Sequence, residues 1–375
     1  MFAWHRFIAV LAKEFVQLRR DRLTFAMMIG VPVMQLVLFG FAINMDPKGL
    51  PAAVVSASSS AFSRSLVRAL ENTGYFRIVA LPATVAEADR LLQLGTVQFV
   101  LQVPEDFSRR LQRGERPAVL VEADATDPAA TSNALAALSQ LNLSALDHDL
   151  TGPLAALKAG APAFELRVHR RYNPEGVTQY NIVPGLMGVV LTMTMVMMTG
   201  LAMTRERERG TMENLLATPV KPLEVMLGKI VPYILIGYVQ VVVILLAAAF
   251  LFHVPMVGSL VLLSLVLVLF MATNLAIGFT FSTFAKSQMQ AMQMTFFFFL
   301  PSMLLSGFMF PFRGMPEWAQ ALGEALPLTH FLRIVRAILL KGSSGAEIAP
   351  EVWPLAVILT AVSAAALKRY QRTLD

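Results

Sequence analysis

Long runs without a charged residue organise this chain. They cover Leu23 to Met45, Gly176 to Thr204, Ile230 to Ala285, Ser287 to Phe312 and Val352 to Leu367. A helix rises 1.5 Å per residue, so ~20 apolar residues cross a bilayer core. The run from Ile230 is long enough for two crossings and breaks at "FHVPMVG" (Phe252 to Gly258). The last run is short and recruits Ile348 and Ala349. Six spans are therefore expected, over 23–43, 179–204, 230–252, 257–283, 288–310 and 348–367. Before the first, Trp4, Phe7, Ile8, Leu11, Phe15 and Leu18 recur at helical spacing opposite His5, Lys13 and Gln17. That predicts a cytoplasmic interfacial helix over 1–22. The first apolar run follows five Lys/Arg and lacks a small-residue cleavage site, so it is read as a retained helix.

Between 44 and 178 the pattern changes to short alternating segments. "PAAVVSA", "FRIVAL", "VQFVLQV", "AVLVEAD" and "FELRVHRRY" read as strands. Between them come a helix with Phe62, Leu66 and Leu70 on one face, a second capped by Thr84, and a third with Pro104 in its first turn that ends at Gly114. A long Ala/Leu-rich helix is expected from Asp127 to Lys158. The fold class that follows is a polytopic α-helical membrane protein with an α/β extracytoplasmic domain inserted between helices 1 and 2. Asp147-His148-Asp149 is a weak ligand candidate, because adjacent residues on a helix face different ways; a solvated polar patch is the plainer reading.

Composition sharpens this. The 375 residues are 56% hydrophobic and 15% charged, against about 25% charged in soluble domains. Without cysteine there is no disulfide, thiolate metal site or Cys nucleophile. With the N-terminus cytoplasmic, segments 1–22, 205–229, 284–290 and 368–375 hold 14 Lys/Arg in 62 residues, against 17 in the 176 outer residues. That bias puts both termini in the cytoplasm. The net charge of +6 is then a topology signal, and nucleic-acid binding is not expected. The spans carry polar Gln35, Asn181, Gln240, Asn274, Gln288, Gln290 and Gln293, which suit helix joining. Gln240, Asn274 and Phe297, the last from "TFFFFL", are the candidate lining of a translocation path. His253, at the break, is the one titratable candidate considered for gradient coupling.

One segment is charged amid all this. "TRERERGTMENLLATP" (Thr204 to Pro219) alternates signs, and Gly210 breaks the preceding helix. Thr211 then caps a helix of roughly six residues, about a turn and a half, with Glu213 in its first turn. Thr218-Pro219 stops it. So short a helix needs a docking surface, either a partner or the membrane.

"ERGTMENLLATPVKPLEVMLGK" (Glu208 to Lys229) resembles the cytoplasmic loop of ABC-2 type transporter permeases. "LRRDRLT", the stretch from Val100 to Thr131 and that from Leu304 to Gly342 resemble the same family's other landmarks in the expected order. The resemblance implies a large-outer-domain bacterial branch in the inner membrane, and a multidrug or daunorubicin-type exporter subunit. It implies a second permease subunit, as homodimer or heterodimer, and an ABC ATPase subunit. The outer domain permits a periplasmic adaptor as a further partner. Glu208, Gly210, Thr211, Glu213, Thr218 and Pro219 become the coupling residues. Pro311, Pro316, Trp318 and Pro327 belong to an outer re-entrant hairpin over 311–347, with Arg333 and Arg336 expected in salt bridges. "LGKI" at Leu227 lacks the rest of a G-x-x-x-x-G-K-[ST] loop, so the chain is expected to bind no cofactor and to leave ATP and Mg to the ATPase. A secondary carrier or a membrane sensor remain the alternatives.

Overall fold

The computed structural model describes residues 47–56, 60–159, 162–208 and 222–372. The expected interfacial helix (1–22) and first span (23–43) lie outside them.

Residues 47–177 form a sheet domain. Strands β1 (Leu50–Ser56), β2 (Phe76–Ala80), β3 (Phe99–Val103), β4 (Ala118–Asp124) and β5 (Glu165–Arg171) assemble in the order β2-β1-β3-β4-β5. All neighbours are parallel except β3 and β4, which pair with Phe99 opposite Ala123 and Gln102 opposite Leu120. Helices α1 (Ala61–Asn72), α2 (Val85–Gln93), α3 (Phe107–Gln112) and α4 (Pro128–Ser144) connect them. Alternation along β1 and β3 sends Ala52, Val54, Phe99 and Leu101 to one face, against Leu66, Phe107 and Leu138. Ala53 and Val100 go to the other, against Ala88 and Leu92 of α2. Thr84 caps α2 as expected, accepting from the Glu87 amide at 3.2 Å, and Ser60 and Asp127 likewise cap α1 and α4, accepting from the Ser63 and Ala129 amides at 3.1 and 3.2 Å.

The helix expected from Asp127 to Lys158 is instead two pieces. α4 stops at Ser144, and a 3-10 helix spans Gly152–Ala159. Leu146 and Leu150 fold back into the core between them, and Gly152 takes a φ of +58°, which an L side chain resists. Asp147-His148-Asp149 sits in that turn and gathers no metal-ligand cluster among the described residues. Likewise α3 starts at Phe107, after a turn closed by the Pro104 carbonyl, three residues later than expected.

The remaining elements are α5 (Thr178–Glu208), α6 (Pro222–Phe250), α7 (Leu260–Phe284), α8 (Gln288–Leu305), α9 (Glu317–Glu324), α10 (Pro327–Arg336) and α11 (Gly345–Arg372). Among the described residues four helices are long and apolar enough to cross a membrane: Thr178–Arg205, Tyr233–Phe250, Leu260–Phe284 and Gly345–Arg369. α8 is not one of them. Three glutamines occupy its first two turns, and it ends at Leu305 rather than 310 because Gly307 turns the chain at φ +84°. α5 and α7 form the central pair. A Cβ on Gly278 would stand 2.4 Å from the Val196 carbonyl oxygen, so glycine permits the backbones to meet there. Phe270 of α7 stacks on Phe331 of α10, with ring centroids 4.1 Å apart.

Candidate functional site

α5 ends in a cluster of polar contacts with α8. Thr192, Thr199 and Thr204 hide their hydroxyls by donating to carbonyls four residues back, at 2.8, 3.0 and 2.7 Å. The helix, which carries Pro184 inside it, runs to Glu208. There the Gln288 amide N–H donates to one Glu208 carboxylate oxygen (2.7 Å) and its side-chain Nε2 to the other (2.5 Å). Arg205 Nε reaches Gln288 Oε1 at 3.5 Å. The bonds from Gln288 hold the Glu208 carboxyl below the usual range. The last turn of α5 is thus clamped to the first residue of α8. Gly210, Thr211, Glu213, Thr218 and Pro219 lie outside the described residues.

The three candidate path residues lie on three different helices, α6, α7 and α8. Gln240 of α6 accepts from Thr194 of α5 at 3.0 Å and joins those helices. Asn274 of α7 is fully buried, its amide donating to the Phe270 carbonyl at 2.9 Å while Oδ1 has no partner among the described residues. Phe297 is 41% exposed on the outward side of α8.

After α8 the chain builds a hairpin in which each proline opens an element. Pro311 precedes a 3-10 turn (Phe312–Gly314), Pro316 caps α9 and Pro327 is the first residue of α10, as a fixed φ without a needed N–H favours. Trp318 is 41% exposed, and His253 sits in the break between α6 and α7 with a φ of +50°. The hairpin holds an ionic cluster. His330 is 3% exposed; its Nδ1 meets Glu351 Oε2 at 2.6 Å and its Nε2 the Glu324 carbonyl at 2.9 Å. Both partners only accept, so the doubly protonated ring satisfies both. Burial pulls the His330 imidazole down, but these bonds prevail and raise it above its usual value. Arg333 makes the expected salt bridges, to Glu324 (2.5 Å) and Glu351 (3.1 Å). Arg336 departs from the expectation: it donates to the Gly307 carbonyl at 3.2 Å. Its helix position aims it under the sheet domain, away from the Glu324 and Glu351 carboxylates that Arg333 occupies.

The family model described as "ABC-2 family transporter protein" matches residues 22–368. This chain belongs to the ABC-2 transporter family. It is the permease subunit of an ABC exporter. An Escherichia coli relative named "Probable multidrug ABC transporter permease YbhR" is 27% identical over 369 residues, covering 98% of this chain and 99% of its own. Escherichia coli "Inner membrane transport permease YhhJ" is 29% identical, covering 91% and 93%. "ABC transporter G family member 20" of Dictyostelium discoideum is 24% identical over 89% of this chain but only 46% of its own length.

In this permease, sequence reasoning named Gln288 as a polar helix residue but not as the partner of Glu208, because the two are 80 positions apart. The His330–Glu351 pair was missed, and no periodicity signals a contact across a hairpin. Lys341 was missed too: it ion-pairs with Asp124 of β4 at 2.5 Å and, with Arg313 donating to the Gly95 carbonyl at 3.0 Å, fastens the hairpin to the sheet domain. A cavity of about 360 Å³ lies between these fasteners.

Proposed function

We propose that this permease moves substrate outward across a bacterial inner membrane with work supplied by a separate ABC ATPase subunit. In this reading the chain crosses six times with both termini in the cytoplasm, the sheet domain stands outside, and two permease subunits pair. Segment 209–221 is the coupling helix, with Gly210 and Pro219 setting its bend, Thr211 and Glu213 its cap and Thr218 its end. ATP and Mg belong to the ATPase, and the sheet domain offers a periplasmic adaptor a surface. The observation that carries the reading is the Glu208–Gln288 clamp. It adjoins segment 209–221, so a push there reaches α5 and α8 together rather than one loop alone. The Escherichia coli relatives' names, a multidrug permease and an inner membrane permease, favour drug export and that location, and the apolar, uncharged spans favour a lipophilic substrate.

The test is Gly210→Pro combined with Glu213→Ala. Substrate efflux and copurification of the ATPase subunit should be lost while membrane insertion is normal. Intact efflux by that double variant overturns the coupling assignment.

A further inference from the structure

His330 stands where three helices meet. Among the described residues the other histidines, His148, His169 and His253, are exposed, while His330 is buried. Its ring joins α10 to both neighbours. Nδ1 lies 2.6 Å from Glu351 Oε2 on α11, and Nε2 lies 2.9 Å from the carbonyl oxygen of Glu324, the last residue of α9. The Glu324 carboxylate is also 3.8 Å from Nε2. Arg333, one turn further along α10, bridges the same two carboxylates.

The number of protons decides what this cluster holds. With both ring nitrogens protonated, His330 and Arg333 balance Glu324 and Glu351, and each ring N–H has an acceptor. With one proton gone, Arg333 alone faces both carboxylates. The remaining N–H stays on Nδ1, because a bond to a carboxylate is roughly twice as strong as one between neutral groups. Nε2 then turns a bare lone pair on the Glu324 carbonyl oxygen, and the Glu324 carboxylate loses a cation. Both changes push the end of α9 away from α10. The Thr329 hydroxyl still donates to the Gly323 carbonyl at 2.6 Å, so α9 pivots there and does not detach.

Neighbouring charges do not take over. Arg313, Arg336, Lys341, Asp124 and Glu347 line the cavity beside the cluster, but their bonds run elsewhere. Arg313 and Arg336 donate to the Gly95 and Gly307 carbonyls, Lys341 pairs with Asp124, and Glu347 accepts from the Ser344 amide. The cavity, and a Glu324 side chain that is 44% exposed, give water a route to the ring for the departing proton.

We propose that His330 is a proton-operated latch: doubly protonated, it pins the end of α9 to α10 and α11, and loss of the Nε2 proton to water frees the turn between α9 and α10. Burial lowers the His330 ring, but its bonds to Glu351 and the Glu324 carbonyl outweigh that and hold its value above the ordinary 6.5. The closed arrangement is therefore fully favoured below 6.5 and is lost as pH rises through the raised value. In the exporter reading the hairpin faces outward and the latch answers to outer pH; the latch itself stands without that reading.

The chain contains no cysteine, so Ala321→Cys on α9 and Ala346→Cys at the start of α11, both exposed, accept two nitroxide labels cleanly. Pulsed dipolar spectroscopy measures the distance between them in the full chain in maltoside micelles, titrated from about pH 5.5 to about pH 9. One distance is expected at the acid end, with a second, longer one growing as pH rises. Above 6.5 the ratio of the second to the first should climb about tenfold per pH unit until the raised value is reached, the slope of a single proton. His330→Gln, with one donor and one acceptor, imitates the neutral ring and should show the longer distance at every pH. Glu351→Gln removes the anion beside the ring and should move the rise to lower pH, which decides the matter should His330→Gln not fold. His169→Gln, at an exposed histidine 3.4 Å from Glu122, should leave the curve unchanged. A single distance across the wild-type titration, a His330→Gln variant that keeps the short distance, or a rise that Glu351→Gln leaves in place or His169→Gln shifts, overturns the proposal.

Discussion

Lys341, in the π-helical turn Ala337–Lys341, places its ammonium 2.5 Å from the Asp124 carboxylate at the end of β4. Both side chains are 8% exposed, so water screens neither. Removing one partner strands a buried charge, at a cost of about 3–5 kcal/mol. Lys341→Ala should therefore lower the thermal unfolding midpoint of the full chain, and Lys341→Met with Asp124→Leu should regain most of it. A midpoint unmoved by Lys341→Ala would show that the hairpin and sheet domain are not fastened there.

The clamp at the end of α5 makes a different kind of prediction. Glu208 is exposed, so its bonds to Gln288 contribute little to stability. Glu208→Ala should leave expression and the unfolding midpoint nearly unchanged while reducing efflux several-fold. Glu208→Gln, which keeps one acceptor oxygen, should retain part of the activity. Wild-type efflux from Glu208→Ala cells would remove the clamp from the mechanism.

His330 makes stability depend on pH. Its folded value lies above the ordinary 6.5: burial lowers it, but its bonds to Glu351, a carboxylate it shares with Arg333, and to the Glu324 carbonyl outweigh that. A raised value means that the stabilisation is complete below about 6.5 and is lost as pH rises through the folded value. The unfolding midpoint should fall over that upward window, and His330→Gln should flatten it. A wild-type curve with no decline above 6.5 contradicts the assigned protonation.

Close contact between α5 and α7 rests on Gly278. Gly278→Leu cannot fit beside the Val196 carbonyl oxygen without separating the helices. A loss of about 1–3 kcal/mol is expected from such overpacking, seen as a lowered midpoint and aggregation on size exclusion. Gly345→Leu, whose added Cβ would meet only a Leu262 methyl at 3.7 Å, serves as the tolerant comparison.

Much of this architecture was legible because it depends on local rules. Apolar run length marked α5, α6, α7 and α11; short segments set between helices marked all five strands; and the Thr84 cap and the Asp127 start marked two helices of the sheet domain. Errors arose where a distant core overrode local propensity. Leu146 and Leu150 are good helix formers, yet burying them against β-sheet residues ended α4 early. Gln240 and Asn274 looked alike in sequence, but one joins two helices and the other is buried in its own.

The sequence by itself determined that the chain carries apolar helices long enough to cross a membrane, that it also holds an α/β domain and that it resembles ABC-2 permeases, since hydropathy, segment pattern and motif order are properties of neighbouring residues. Only the tertiary structure decided which groups meet: Glu208 with Gln288, His330 with Glu351, and Lys341 with Asp124. Those pairings join residues from 21 to 217 positions apart. They are fixed by how whole helices and sheets pack, and a one-dimensional pattern does not carry that information.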